Sequence, residues 1–394
     1  MLTTYRDVLS RPGAALFSFT ALWSRLPLAM TGLGIVLLVS ERTGSYGRAG
    51  VVAAAYVLAA AACGPFQGRL ADRVGQAKVL WGVGAIYAVG IGLTLAAIDL
   101  GWSTPLPHLC AIIAGVATPQ TGSMARARWT HAVSDRDQLN TAFSIEAVLD
   151  EVVFVVGPVL VTFLTLQVAD VSGLIFAGAA ATLGSWALAL QHSTAPPLIV
   201  HEGGARIPIG WSLLGPLVAV SVGLGVLFGS TEVIVVAYTK EQGQPGAAGA
   251  VLAVWAAGSL IAGVAVGALP QSRNPLRLFR WAVLALSLLF APLGLLPSSV
   301  WLAAGMFFAG VMISPTLIAM VNLIEMGVPS ARLTEALTWT GTGMAVGVAP
   351  GAAGAGWVID GHGASAGFLV PLLAGLVASA VAWTFHSGPG RGAG

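Results

Sequence analysis

Gly68-Arg69-Leu70-Ala71-Asp72-Arg73-Val74-Gly75-Gln76-Ala77-Lys78 packs four charges into eleven residues between two long apolar stretches. The chain around it is 394 residues long, 56% hydrophobic and only 9% charged, with a mean hydropathy of +0.86. A soluble domain carries about a quarter charged residues, so this composition describes a polytopic membrane protein. The charged stretch is then a short connection between two membrane-crossing helices. Working outward, each helix needs about 20 apolar residues to cross the hydrocarbon core, with its backbone satisfied within the segment. Twelve segments meet this test, at about 15–39, 49–67, 79–98, 106–125, 142–165, 172–191, 212–238, 247–269, 278–296, 300–324, 335–358 and 365–385. The expected fold class is an all-α membrane protein. The polar interval 192–210 divides it into an N-terminal six-helix half (1–191) and a C-terminal half with a short tail (211–394).

Short cytoplasmic loops retain Lys and Arg. With the N-terminus inside, all 18 basic residues except Arg25, Arg42, Arg48 and Lys240 fall on the cytoplasmic side, an asymmetry that an odd number of helices would destroy. Both termini are therefore expected in the cytoplasm. Arg outnumbers Lys by 16 to 2, which leans toward a GC-rich bacterial genome and so toward a bacterial cytoplasmic membrane. A net charge of +2 implies no nucleic-acid partner. Cys63 and Cys110 fall inside apolar segments and are expected as buried small residues. No P-loop, metal motif or nucleophilic triad is present, so neither an enzyme nor a cofactor is expected.

Gly68, Asp72, Arg73, Gly75 and Lys78 stand at the spacing G-x-L-A-D-R-x-G-x-x-K. This resembles the signature between the second and third helices of the major facilitator superfamily of secondary transporters. The resemblance implies two pseudo-symmetric six-helix halves, with this stretch latching the outward-open state and releasing it as the halves rock. Asp72 would face the positive end of a helix from the opposite half, and Arg73 and Lys78 would meet lipid phosphates or Asp135 and Asp137. Internal repetition agrees with such a build. Ala114-Gly115-Val116 with Pro119 recurs as Ala309-Gly310-Val311 with Pro315, an offset of about 195, and Val156-Gly157-Pro158 recurs loosely as Val348-Ala349-Pro350.

An ionisable side chain at membrane depth is costly unless it is paired or wetted, so such residues are candidates for function. The fifth segment carries Glu146, Asp150 and Glu151; at about 1.5 Å per residue Glu151 lies roughly 20 Å in, near the midplane. Glu146 and Asp150, four apart, share a face, whereas Glu151 is turned about 100° from Asp150. Crowded carboxylates repel, so at least one should hold a proton unless a cation is adjacent. Arg25, deep in the first segment before Pro27, is expected to partner Glu146, Asp150 or an anionic substrate group, or to snorkel to the interface. Glu232 is the acid well inside the second half, either lining a cavity or lying at the interface. Trp102, Trp129, Trp211 and Trp301 fall near segment ends, where aromatic rings favour the interface.

Gly157-Pro158 resembles the Gly-Pro element of the superfamily's antiporter branch, although its flanking glycines are replaced by Val155, Val156, Val159 and Leu160, and Ala117 stands where that branch carries an arginine. The pair is either a functional kink or a packing feature. The leading expectation is a monomeric, proton-coupled exporter of a small amphipathic compound, with Arg25, Glu146, Asp150, Glu151 and Glu232 as proton-coupling or cavity residues and membrane lipid as the surroundings. Proton-linked uptake, metabolite export and a non-transporting sensor or assembly module are the alternatives.

Overall fold

The computed structural model of the chain describes residues 2–197, 211–268, 274–328 and 333–384, apart from 102, 104 and 134. Among these residues there are seventeen α-helices and no strand. The first nine are α1 (Leu2–Leu9), α2 (Ala14–Arg25), α3 (Pro27–Thr43), α4 (Tyr46–Val74), α5 (Gln76–Asp99), α6 (Leu106–Val116), α7 (Thr121–Ala132), α8 (Arg136–Gln167) and α9 (Ser172–Ala189). The rest are α10 (Trp211–Glu241), α11 (Ala247–Ala268), α12 (Pro275–Leu289), α13 (Ser299–Val311), α14 (Ile313–Gly327), α15 (Leu333–His362), α16 (Ala364–Gly367) and α17 (Leu369–Thr384).

Eleven helical stretches among the described residues are long and apolar enough to cross a membrane. The remaining expected segment, the fourth, is divided into α6 and α7, of 11 and 12 residues. Pro119 lies in the break and brings no N–H of its own. Backbone groups freed at this depth need partners. Buried Gln67 of α4 supplies them, donating from Nε2 to Val116 O (2.8 Å) and Thr118 O (3.0 Å). Leu26 and Pro27 likewise separate α2 from α3, and Met312 separates α13 from α14. Large apolar side chains such as Leu183, Ile261 and Val377 stay exposed, as a lipid-facing surface requires.

The chain forms two compact units, one of Met1–Gly44 with Ala55–Gly203, the other of Ser45–Ala54 with Gly204–Gly394. Most of the expected dividing interval, 198–210, lies outside the described residues. The boundary departs from a single cut there, because the opening residues of α4 group with the second unit. Asp360 at the end of α15 holds them, accepting hydrogen bonds from Ser45 Oγ (2.7 Å), Tyr46 N (2.9 Å) and Gly47 N (3.0 Å), amides that the start of a helix leaves open.

In the first unit α5 packs on α6 and α9, α2 on α9, and α3 on α8. In the second, α10 lies along α15 in the most extensive helix contact among the described residues, and α11 lies along α13. Glycines make the α10–α15 approach so close that a Cβ on Gly225, Gly229, Gly347 or Gly351 would collide with the backbone of Met344, Val348, Val222 or Val226 respectively. The repeated Ala-Gly-Val triplets occupy matching places. They end α6 and α13, and Gly115 abuts the Tyr56 carbonyl as Gly310 abuts that of Trp255.

Candidate transport site

Arg25 closes α2, and its side chain turns inward with only 1% of its surface exposed. Its Nη2 pairs with Glu146 Oε2, and its Nη1 donates to Asp150 Oδ1 at 2.9 Å. The helical spacing puts both carboxylates on the face of α8 that meets α2. Arg126 Nη2, from α7, takes the other oxygen of Asp150 at 2.6 Å. Glu146 is fully buried, and its Oε1 accepts from Ser18 Oγ and Trp129 Nε1, both at 2.8 Å. Trp129 is fully buried too, edge-on to Phe17 at 4.7 Å, within an apolar cluster that includes Ala21, Met124 and Ala142.

Two guanidinium groups therefore balance two carboxylates. The adjacent cation on which the crowding argument turned is present for these two acids, in the form of Arg25 and Arg126. Buried pairs of this kind persist only where the remaining lone pairs are also satisfied, as they are on Glu146. One donor of the cluster, Arg25 Nε, is buried without a partner among the described residues.

Glu151, next along α8, stands outside this arrangement. It is half-buried, and no described side chain pairs with it. Glu232 lies in the second unit on α10, half-buried and likewise without an ion-pair partner among the described residues. The five candidate residues thus divide into an interlocked trio, Arg25, Glu146 and Asp150, and two unpaired acids.

The stretch 68–78 is shorter as a loop than expected. α4 runs on to Val74 and α5 starts at Gln76, so Gly75 alone makes the turn. Its φ of 94° is a conformation that side chains strongly disfavour, which accounts for a glycine there. Gly68 is helical with open space where a Cβ would stand, so packing gives no reason for it. Asp72 is half-buried, Arg73 and Lys78 are exposed, and none of the three pairs with a described residue. Asp135 does not serve Arg73 or Lys78 as anticipated: it caps α8, accepting from Gln138 N at 2.9 Å. The side chain of Asp137 lies outside the described residues. Gly157 and Pro158 sit in an unbroken α8, where Gly157 lets α3 approach at Ala29.

Sequence reasoning missed Arg128 and misplaced Trp129. Arg126 and Arg128 were expected in a cytoplasmic loop, but α7 continues to Ala132 and turns Arg128 into the interior. Arg128 donates from Nε to Gln76 Oε1 (2.8 Å), from Nη1 to Gln191 O (2.9 Å) and Thr194 Oγ1 (2.7 Å), and from Nη2 to Leu188 O (3.0 Å). It satisfies the carbonyl end of α9 with positive charge, where the helix dipole favours it. Gln76 joins this cation to the residue after the Gly75 turn, and its own Nε2 donates to Met124 O at 3.1 Å.

Residues 14–324 match the family model of the Major Facilitator Superfamily. The chain belongs to this superfamily. It is a membrane transporter rather than an enzyme. Similar solved structures span nearly the whole facilitator fold. The nucleoside transporter NupG is 14–15% identical in two crystal structures, which match 94% of this chain and 98% of their own at TM-scores of 0.71–0.72. A peptide transporter POT, crystallised with sulfate, is 14% identical over 95% of this chain and 93% of its own, with a TM-score of 0.71. The human organic anion transporter MFSD10 is 17% identical over 96% and 99%, with a TM-score of 0.60. At these identities the likeness is one of fold. No curated protein matches the chain.

Proposed function

We propose that this facilitator is a proton-coupled exporter of a small amphipathic compound, working by alternating access in a bacterial cytoplasmic membrane with both termini on the cytoplasmic side. The observation that carries the coupling is Glu151 beside a closed charge cluster. Arg25 and Arg126 are committed to Glu146 and Asp150, so a proton can load onto and leave Glu151 without breaking an ion pair. The neighbouring cluster holds α2, α7 and α8 in register while Glu151 changes charge. The distribution of Lys and Arg supports the orientation. Asp72, Arg73 and Lys78, uncommitted to other described residues, are free to engage and release during the cycle, with Gly75 providing the turn.

The test uses inside-out proteoliposomes and rhodamine 6G as the transported probe. Wild type should accumulate the dye when the lumen is acid. Glu151→Gln should retain slow, gradient-independent movement, with the gradient response reduced about ten-fold, as expected when a proton-transfer group is removed. A full gradient response in Glu151→Gln would remove this residue from coupling.

A further inference from the structure

Among the described residues Glu232 has no ion-pair partner, and the helices packed most closely on its own bring no cation to its level. α11, α16 and α17 contain no ionisable residue, α14 contributes only Glu325, and α15 has Glu335 at its start and Asp360 and His362 at its far end. On α10 itself the cation is Lys240, two turns further on and exposed. The neighbouring hydroxyls are spent as well. Ser230 donates to Val226 O at 2.7 Å, and Thr231 donates to Leu227 O.

One turn before Glu232, on the same face, stands Phe228, also half-buried. Its ring lies 5.2 Å from that of Trp255 on α11 at an interplanar angle of 43°, and Trp255 meets Phe290 edge-on at 6.5 Å. Trp255 is 7% exposed, and its indole N–H is buried without an acceptor among the described residues. A buried donor left open costs about 1–3 kcal/mol, and a buried indole ordinarily finds a partner. Inside the second unit an unpaired carboxylate thus stands one helical turn from an aromatic pair whose second member carries an unused donor.

We propose that Glu232, Phe228 and Trp255 form a binding site for an organic cation that carries an aromatic body and a hydrogen-bond acceptor. The carboxylate supplies the missing charge partner. The half-buried Phe228 ring, backed by Trp255, offers a π-face to the cationic body, an attraction that strengthens on desolvation. The Trp255 N–H takes the ligand's acceptor. This names a substrate class for the exporter proposed above and so rests on that reading. The binding chemistry itself needs no proton gradient.

Binding to the full chain in detergent, without a gradient, tests the site apart from the coupling. Two probes are used: tetraphenylphosphonium, a cation without an acceptor, and rhodamine 6G, a cation with an ester carbonyl. Wild type should bind both, and should not bind tetraphenylborate, the anion of matching shape. Glu232→Gln should weaken both cations at least about ten-fold, or 1.4 kcal/mol. Trp255→Phe keeps an aromatic ring and should weaken rhodamine 6G several-fold more than tetraphenylphosphonium. Monodisperse elution and an unchanged melting temperature certify the variants. Failure of wild type to bind either cation, equal affinity for tetraphenylborate, or unchanged affinity in Glu232→Gln would overturn the site. Equal losses of both probes in Trp255→Phe would overturn the role of the N–H. Cation binding that persists while Glu151→Gln moves dye with a full gradient response would sink the proton reading and leave this site standing.

Discussion

The first and fifth membrane segments of each half meet in both units, but they meet by different chemistry. In the first unit α2 and α8 are joined by Arg25, Glu146 and Asp150. In the second, α10 and α15 are joined by glycines that bring backbone against backbone. At the repeat offset of about 195, Arg25 and Glu146 fall on Val220 and Gly341, so the second copy carries no charge at either place. A charged seam is specific but expensive, since each partner is tolerable only while the other is present. A glycine seam lacks that liability and relies on close contact, which suits lipid, where no hydrophobic effect pushes helices together. The contrast teaches where interior charge is free to act. The first unit's trio is consumed in holding helices, whereas Glu151 and Glu232 stand outside any ion pair among the described residues.

The largest effect that would break this comparison belongs to the charged seam. Arg25→Met should destabilise the protein by about 3–5 kcal/mol, because Glu146 would be left buried without its partner. Adding Glu146→Gln to it should recover part of the loss. A double-mutant cycle on thermal unfolding in detergent measures the coupling, and additive losses would show that the pair is not a unit.

The glycine seam should respond less. Gly347→Val forces a side chain onto the Val222 carbonyl and should cost about 1–3 kcal/mol, the usual range for overpacking. The same melting experiment reads it, and tolerance of Val at this position would mean that α10 and α15 are not held by close approach. The smallest effect sharpens the point that burial, rather than pairing as such, gives the trio its weight. Arg42 bridges Asp99 at 2.8 Å and Asp170 at 2.7 Å, yet all three are between 40% and 53% exposed. Arg42→Ala should therefore change stability by about 0–1 kcal/mol. A loss as large as that of Arg25→Met would show that location is not what separates the two networks.

Much of this was legible in the residues because lipid imposes strict rules. A buried arginine needs an acid, and Arg25 with Glu146 and Asp150 could be matched by depth alone. Gly75 was visible as a member of the charged signature, but not as the single residue that makes the turn. Arg128 was hidden because two arginines closing an apolar run look the same whether the helix stops or continues. The acceptors that let it continue inward are the carbonyl oxygens of Leu188 and Gln191, some 60 residues away and without a side-chain signature. The break between α6 and α7 was likewise masked by unbroken hydropathy, although Pro119 marked the place. The open indole of Trp255 depends on what is missing around it, and a sequence does not list absences.

Arg25 and Glu146 are 121 residues apart, and Gly225 and Gly347 are nearly the same distance apart. Chains are made N-terminus first at about 5–20 residues per second, so each half's first segment waits on the order of ten seconds for its fifth. A glycine-lined helix waits at no cost in lipid. An arginine held alone at that depth carries a penalty of about 2.5–3.5 kcal/mol on insertion scales. The first segment is therefore the one that must be sheltered during synthesis, at the insertion machinery or near its exit, until α8 emerges with the acids that release it.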